Sequence, residues 1–361
     1  MQSPERINVT KTFLPPMEEY QAYLNQIWGT NQLTNQGPLL LEFERQVIKY
    51  LDVAPSLHFV TNGTMALQLA LRALNINDGE VITTPFSYVA TTSSILWENC
   101  SPKFVDIDPE TLCLDADKIE AAITRNTKAI MPVHVFGYPC DVENIEAIAK
   151  KHNLKVIYDG AHAFGVKYKG KSLLDYGDVS VCSFHATKLF HTIEGGCLIT
   201  KDKKTSDNIE LMKRFGHNGY DHYMLGINGK ATEFQAAMGL CNLKYIDGII
   251  QHRKKLVTLY DRLLNHSRKI TVRKGTEYNY SYYPIMFEDE TKLLKVIKRL
   301  NKENIFPRRY FFPSLNTLPY LSSYQACPIS EDISKRILCL PLYFGLGEDN
   351  VRKVCRVITN D

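Results

Sequence analysis

Apolar positions recur at helical spacing over residues 39–50 and again over 64–74, where Thr64 follows Gly63 as the opening residue. Short apolar runs separate and follow these segments, at 57–61, 81–84, 103–106, 154–158, 179–184 and 196–200. The run 129–135 is almost wholly apolar, as a strand covered on both faces would be. An amphipathic stretch at 144–152 reads as a further helix. Strands and helices in alternation predict an α/β unit with a mostly parallel sheet. Beyond Ile246 the texture changes. A long helix rich in Arg and Lys is expected over 249–264, Tyr- and Pro-rich strands over 278–287, and helices over 291–301 and 348–357. The expectation is therefore a large α/β domain over residues 1–245 and a smaller α+β domain over 246–361.

Composition narrows the class. Of the 361 residues, 44% are hydrophobic and 23% charged, enough apolar matter for a large core. A net charge of +4 is too slight to point to nucleic acid or a membrane surface as partner. No apolar run is long enough to span a bilayer, and the polar stretch 1–12 lacks a signal-peptide core. Nine cysteines, an odd number with no CxxC pair, fit buried thiols in a reducing cytoplasm better than a disulfide framework or a zinc site.

One motif is a false lead. Gly165-Val-Lys-Tyr-Lys-Gly170-Lys171-Ser172 spells a Walker A loop, which requires a helix immediately after it so that backbone amides cradle the phosphates. The alternating residues 166–169 and the Gly170-Lys171 turn predict a hairpin instead.

Four separated segments carry chemistry together. Thr61-Asn62-Gly63-Thr64 is a glycine turn feeding a helix, where backbone amides and a hydroxyl suit a phosphate monoester. Thr84-Pro85-Phe86-Ser87-Tyr88 puts an aromatic just past a strand end. Tyr158-Asp159-Gly160-Ala161-His162 places a carboxylate where open α/β sheets bind ligands. In the segment Ser183-Phe184-His185-Ala186-Thr187-Lys188, a lysine lies among apolar and hydroxyl residues ahead of Glu194-Gly195-Gly196, a setting that lowers the pKa of an amine and suits Schiff-base chemistry. Each feature alone is commonplace. A phosphate turn, an aromatic, an acid and a lysine in this order are what pyridoxal phosphate (PLP) requires.

These segments resemble the sugar-nucleotide aminotransferases of the DegT/DnrJ/EryC1/StrS type, within the fold-type I, aspartate aminotransferase-like PLP enzymes. The likeness runs from Gln36-Gly37-Pro38 to Leu338-Cys339-Leu340-Pro341, and includes Gly226-Ile227-Asn228-Gly229-Lys230 followed by Glu233 and Gln235. It implies that Lys188 holds the cofactor covalently, that Asp159 keeps the pyridine nitrogen protonated, and that His162 lies near the ring's phenolic oxygen. It implies that Tyr88 stacks on the ring, that Gly63, Thr64 and Ser183 bind the phosphate, and that Asn228 reaches it from a second subunit of a homodimer with shared active sites. Lys230 stands where many members have Arg.

The implied reaction is ping-pong transfer of an amino group from L-glutamate to a nucleotide-linked ketosugar, through PLP and its amine form PMP. Ser183-Phe184-His185 before the lysine and Glu194-Gly195-Gly196 after it resemble members acting at C4 of a 4-keto-6-deoxyhexose, in the supply of surface-polysaccharide sugars. dTDP is the favoured carrier, with UDP and GDP open. His185 is the candidate at the sugar's hydroxyl or keto oxygen. Arg308, Arg309 and Tyr310 are candidates for the nucleotide diphosphate, with Lys230 a further substrate candidate. Non-transaminating enzymes of the same fold and a non-catalytic regulator are the alternatives, and the Lys188–Asp159 pair argues against both.

Overall fold

The computed structural model describes residues 6–265 and 270–359, so residues 1–5 of the polar opening stretch lie outside the described part. Seven strands build the central sheet: β1 (Ser56–Val60), β2 (Glu80–Thr83), β3 (Ser101–Phe104), β4 (Thr127–Met131), β5 (Lys155–Asp159), β6 (Val179–Ser183) and β7 (Gly196–Thr200). They lie in the order β1-β7-β6-β5-β4-β2-β3. β7 runs antiparallel to both neighbours, and every other pairing is parallel. The fold is thus the expected α/β type.

Both faces of the sheet are covered, which is why its strands read as apolar runs. Val60, Val81, Met131, Ile157, Val181 and Leu198 pack on the side of the helix Gly63–Ala73. Their strand neighbours Phe59, Ile82, Ile130, Tyr158, Cys182 and Ile199 point the other way into a larger core with Phe43 and Phe190. All nine cysteines are buried free thiols, as the sequence implied.

A second core draws on residues 256–355 together with Ile7. It gathers the long helix Ile246–Leu263, the antiparallel pair β8 (Pro284–Met286) and β9 (Ile337–Cys339), and the helices Glu290–Lys302 and Glu348–Thr359. We propose the division near residues 245 and 246 on this basis, although many contacts cross it, Met286, Phe311, Ile337 and Cys339 packing into the larger core. Ile7 and Asn8 pair with Ile305 and Phe306. Leu315 returns to the large unit, its N–H donating to the Pro85 carbonyl at 2.8 Å.

Two expected strands are shorter than their apolar runs. The run 129–135 stops at Met131, because Pro132 has no N–H to give the ladder; pairing resumes only as a bridge between Val133 and Asp159. Of 278–287, only 284–286 is strand. The Asn279 side chain there donates to the carbonyls of His162 and Phe164 at 3.0 and 2.8 Å, tying the segment to the loop after β5 instead of to a sheet. The Walker-like octapeptide is the hairpin expected, Lys167–Tyr168 pairing with Lys171–Ser172. Among the described residues no helix is long and apolar enough to cross a membrane.

Candidate active site

The C-terminal ends of β1, β2, β5 and β6 share one edge of the sheet, and the loops leaving them enclose a cavity of about 350 Å³. Gly63, Thr64, Tyr88, Asp159, His162, Ser183, His185, Lys188, Arg308 and Tyr310 all line it, so residues up to 247 positions apart meet there.

The phosphate turn is built by capping. The Asn62 side chain accepts the Met65 N–H at 2.8 Å and so starts the helix. The sequence reading gave the opening position to Thr64; Asn62 takes it because its oxygen reaches the third residue on. Thr64 instead stands in the first turn of that helix. Space here is tight by design: a Cβ on Gly63 would sit 3.0 Å from Ser183 Cβ, and one on Gly196 would sit 2.7 Å from the Gly63 nitrogen. The glycines let β6, β7 and the turn close into a cradle with amides and a hydroxyl on its wall.

Asp159 and Lys188 face the cavity without forming an ion pair with each other. Asp159 is buried, its carboxylate accepting the Thr91 hydroxyl at 2.7 Å and the Ala161 N–H at 3.1 Å. Burial raises its pKa, against these donors and the nearby Lys188. Lys188 is partly buried, and among the described residues its amine has no ion-pair or hydrogen-bond partner. Desolvation lowers its pKa, with Asp159 pulling it back up. His162 is buried, its ring stacked at 14° on Phe311 and edge-on to Tyr282. Among the described residues its Nδ1 has no partner, and burial, then Lys188, push its pKa well below the usual value, which favours the neutral ring.

His185 and Glu194 close one side. His185 Nδ1 lies 2.7 Å from the Thr187 hydroxyl and 3.2 Å from the Thr187 N–H, and Nε2 faces the Glu194 carboxylate at 3.4 Å. The Thr192 hydroxyl and the Gln235 amide both hold the Glu194 carbonyl, and Ile193 beside it takes φ +70°, a strained setting for a β-branched residue.

Asn228 and Lys230 do not line the cavity. Asn228 bridges to Arg214, and the Lys230 amine donates to Asn35 Oδ1 at 2.6 Å. Within one chain Lys230 thus lies away from the cavity. Arg309 also turns away, paired with Glu290 at 2.6 Å and stacked on Phe312. The sequence reading missed Thr91, Glu194, Tyr282 and Phe311 as lining residues. Glu194 stood inside a quoted motif; the others carried no local signal.

The residues present fit PLP. A carboxylate and an amine face one space without forming an ion pair, an imidazole nitrogen with no partner among the described residues lies beside them, and a helix-end cradle stands at one wall with the exposed Tyr88 ring at the rim.

The chain is 41% identical, over 98% of both sequences, to the dTDP-4-amino-4,6-dideoxy-D-glucose transaminase of Shigella dysenteriae. Its structure is similar to that of DesI, crystallised in the presence of its TDP-sugar product, with a TM-score of 0.93 and 29% identity over 99% of this chain and 93% of that one. It is also similar to NtdA of Bacillus subtilis with bound cofactor PMP, with a TM-score of 0.86 and 28% identity over 95% and 82%. Residues 16–359 match the sequence model of the DegT/DnrJ/EryC1/StrS aminotransferase family, and the chain belongs to that family.

Proposed function

We propose that the protein is a PLP-dependent transaminase that moves an amino group from L-glutamate to C4 of a nucleotide-linked 4-keto-6-deoxyhexose, with dTDP-4-keto-6-deoxyglucose as the acceptor. The observation that carries this reading is Lys188 and Asp159 facing one cavity beside the Gly63–Ser183 cradle. The 41% identity to a dTDP-sugar transaminase supports the acceptor.

When bound, the cofactor supplies a carbon that takes up and returns nitrogen, and a ring that accepts electrons. The protein's part is to hold and protonate. Gly63, Thr64 and Ser183 would hold the phosphate by amide and hydroxyl donors, with Asn228 adding a donor from a second subunit. Asp159 would hold a proton on the ring nitrogen, its charge no longer alone in a buried setting. Tyr88 would cover the ring face. Lys188 would anchor the group and, once displaced, take the proton from the donor's Cα and deliver one to C4 of the sugar. That shuttle needs the neutral amine, which burial favours. His185 with Glu194 would meet the sugar's oxygens, and Arg308 and Tyr310 the diphosphate. Nine free thiols fit a cytoplasmic enzyme in the supply of surface-polysaccharide sugars.

The test is an assay of purified protein with PLP and 15N-labelled L-glutamate against dTDP-, UDP- and GDP-linked 4-keto-6-deoxyhexoses, with NMR locating the new nitrogen. The expected product carries it on C4 of the dTDP sugar. Preference for another nucleotide would move the acceptor assignment, and no amination of any of them would overturn the reading.

A further inference from the structure

We infer that Thr91 is a positioning residue for Asp159, and that Ser87, Thr91 and Asp159 form a one-way hydrogen-bond relay that keeps the carboxylate charged and aimed at the cofactor's ring nitrogen. This rests on the PLP reading above. Thr91 lies in the first turn of the helix Ala90–Trp97, and Ser87 in the loop between that helix and β2. Thr91 is fully buried, and Ser87 and Asp159 are nearly so. The Thr91 hydroxyl lies 2.7 Å from Asp159 Oδ2 and 2.8 Å from the Ser87 hydroxyl.

Proton inventory sets the direction. An ionised carboxylate only accepts, so Thr91 spends its single O–H on Asp159. Thr91 then has only lone pairs for Ser87, and Ser87 must donate. Each donor polarises the next, and the chain ends on negative charge. Were Asp159 protonated, its own O–H could turn toward Thr91 and the order could reverse. Hydrogen bonds donated to a charged acceptor are stronger than those to a neutral acid, so the relay favours the ionised acid.

The second oxygen is held separately by the Ala161 N–H. Both oxygens being held fixes the plane of the carboxylate, in a cavity it shares with Lys188 and the neutral His162. The relay is specific in its wiring. The adjacent Thr92 is equally buried, yet its hydroxyl has no partner among the described residues. The sequence put Tyr88 forward in this loop; the same loop carries the donor end of the relay one residue earlier.

The test uses the intact protein loaded with PLP labelled with 15N in the ring. In the wild type the nitrogen shift should be that of a protonated pyridine. Thr91→Val, which keeps the shape and removes the hydroxyl, should move the shift toward neutral pyridine and weaken PLP binding by about tenfold, the scale of one buried hydrogen bond to a charged group. Thr91→Ser should restore both readouts, and Ser87→Ala should give a smaller shift in the same direction. A Thr91→Val protein with wild-type nitrogen shift and affinity overturns the relay. So does equal loss in Thr91→Val and Thr91→Ser, which would assign the effect to packing. If Thr91→Val does not fold, an unchanged Ser87→Ala protein overturns it. A wild type that binds no PLP overturns the cofactor reading and the relay together, whereas unaltered variants beside a normal wild type overturn the relay alone.

Discussion

Lys188 is an amine whose burial costs the ammonium form more than the free base. Its pKa lies below the ordinary 10.5. Capture of PLP requires the deprotonated amine. The rate of capture by the cofactor-free protein should therefore rise with pH through a midpoint below 10.5, as read from the growth of visible absorbance. Lys188→Ala should abolish capture and turnover while the circular dichroism of the fold is kept, since among the described residues the amine has no ion-pair or hydrogen-bond partner. A variant with wild-type turnover would remove the lysine from the mechanism. Lys188 and Asp159 were legible in the sequence because each follows an apolar strand at the sheet's C-terminal edge. Thr91 was not, since a hydroxyl in a short helix means nothing until its carboxylate partner 68 residues later is beside it.

Helix ends show the same limit one scale up. Thr232 and Gln235 form a capping box at the start of the helix Glu233–Leu243, which a reading of neighbouring residues can find. Glu233 next to them is buried and serves a different helix. Its two oxygens accept the Leu39 and Leu40 N–H groups at 2.9 and 2.8 Å, at the start of Pro38–Leu51, where Gly37 and Pro38 offer no side-chain cap. Negative charge at that end also meets the helix dipole favourably. Glu233→Ala should lower stability by about 1–2 kcal/mol, the usual worth of an N-cap, as read from denaturant midpoints. A change near zero would show that the carboxylate only fills space. The packing is tight, since a Cβ on Gly37 would lie 2.4 Å from the Glu233 carboxyl carbon.

For the whole molecule, the proposed sharing of Asn228 between subunits has a consequence that one chain cannot mimic. In a mixed dimer of Lys188→Ala and Asn228→Ala chains, one site carries both defects and the other carries neither. Unfolding and refolding the two variants together should restore activity to about a quarter of wild type, since half the dimers are mixed and one of their two sites is intact. No gain over the separate variants would place Asn228 outside the neighbouring site. The exposed Phe215, Tyr220, Tyr223, Leu225 and Ile227 just before it are the apolar surface on which such a contact would form.

By itself the sequence determined the alternation of elements, the two-faced burial of the sheet, the hairpin where a Walker loop was spelled, and which lysine, acid and glycine turn to put forward as site candidates. All of these depend on neighbours a few residues away, through side-chain periodicity, caps and glycine turns. Only the tertiary structure decided that Tyr282, Arg308, Tyr310 and Phe311 close the cavity, that Arg309 and Lys230 turn aside, and that Ser87 and Thr91 address Asp159. Those outcomes depend on where chain segments distant in sequence come to lie, and a hydroxyl or a guanidinium is chemically the same until its partner is in reach.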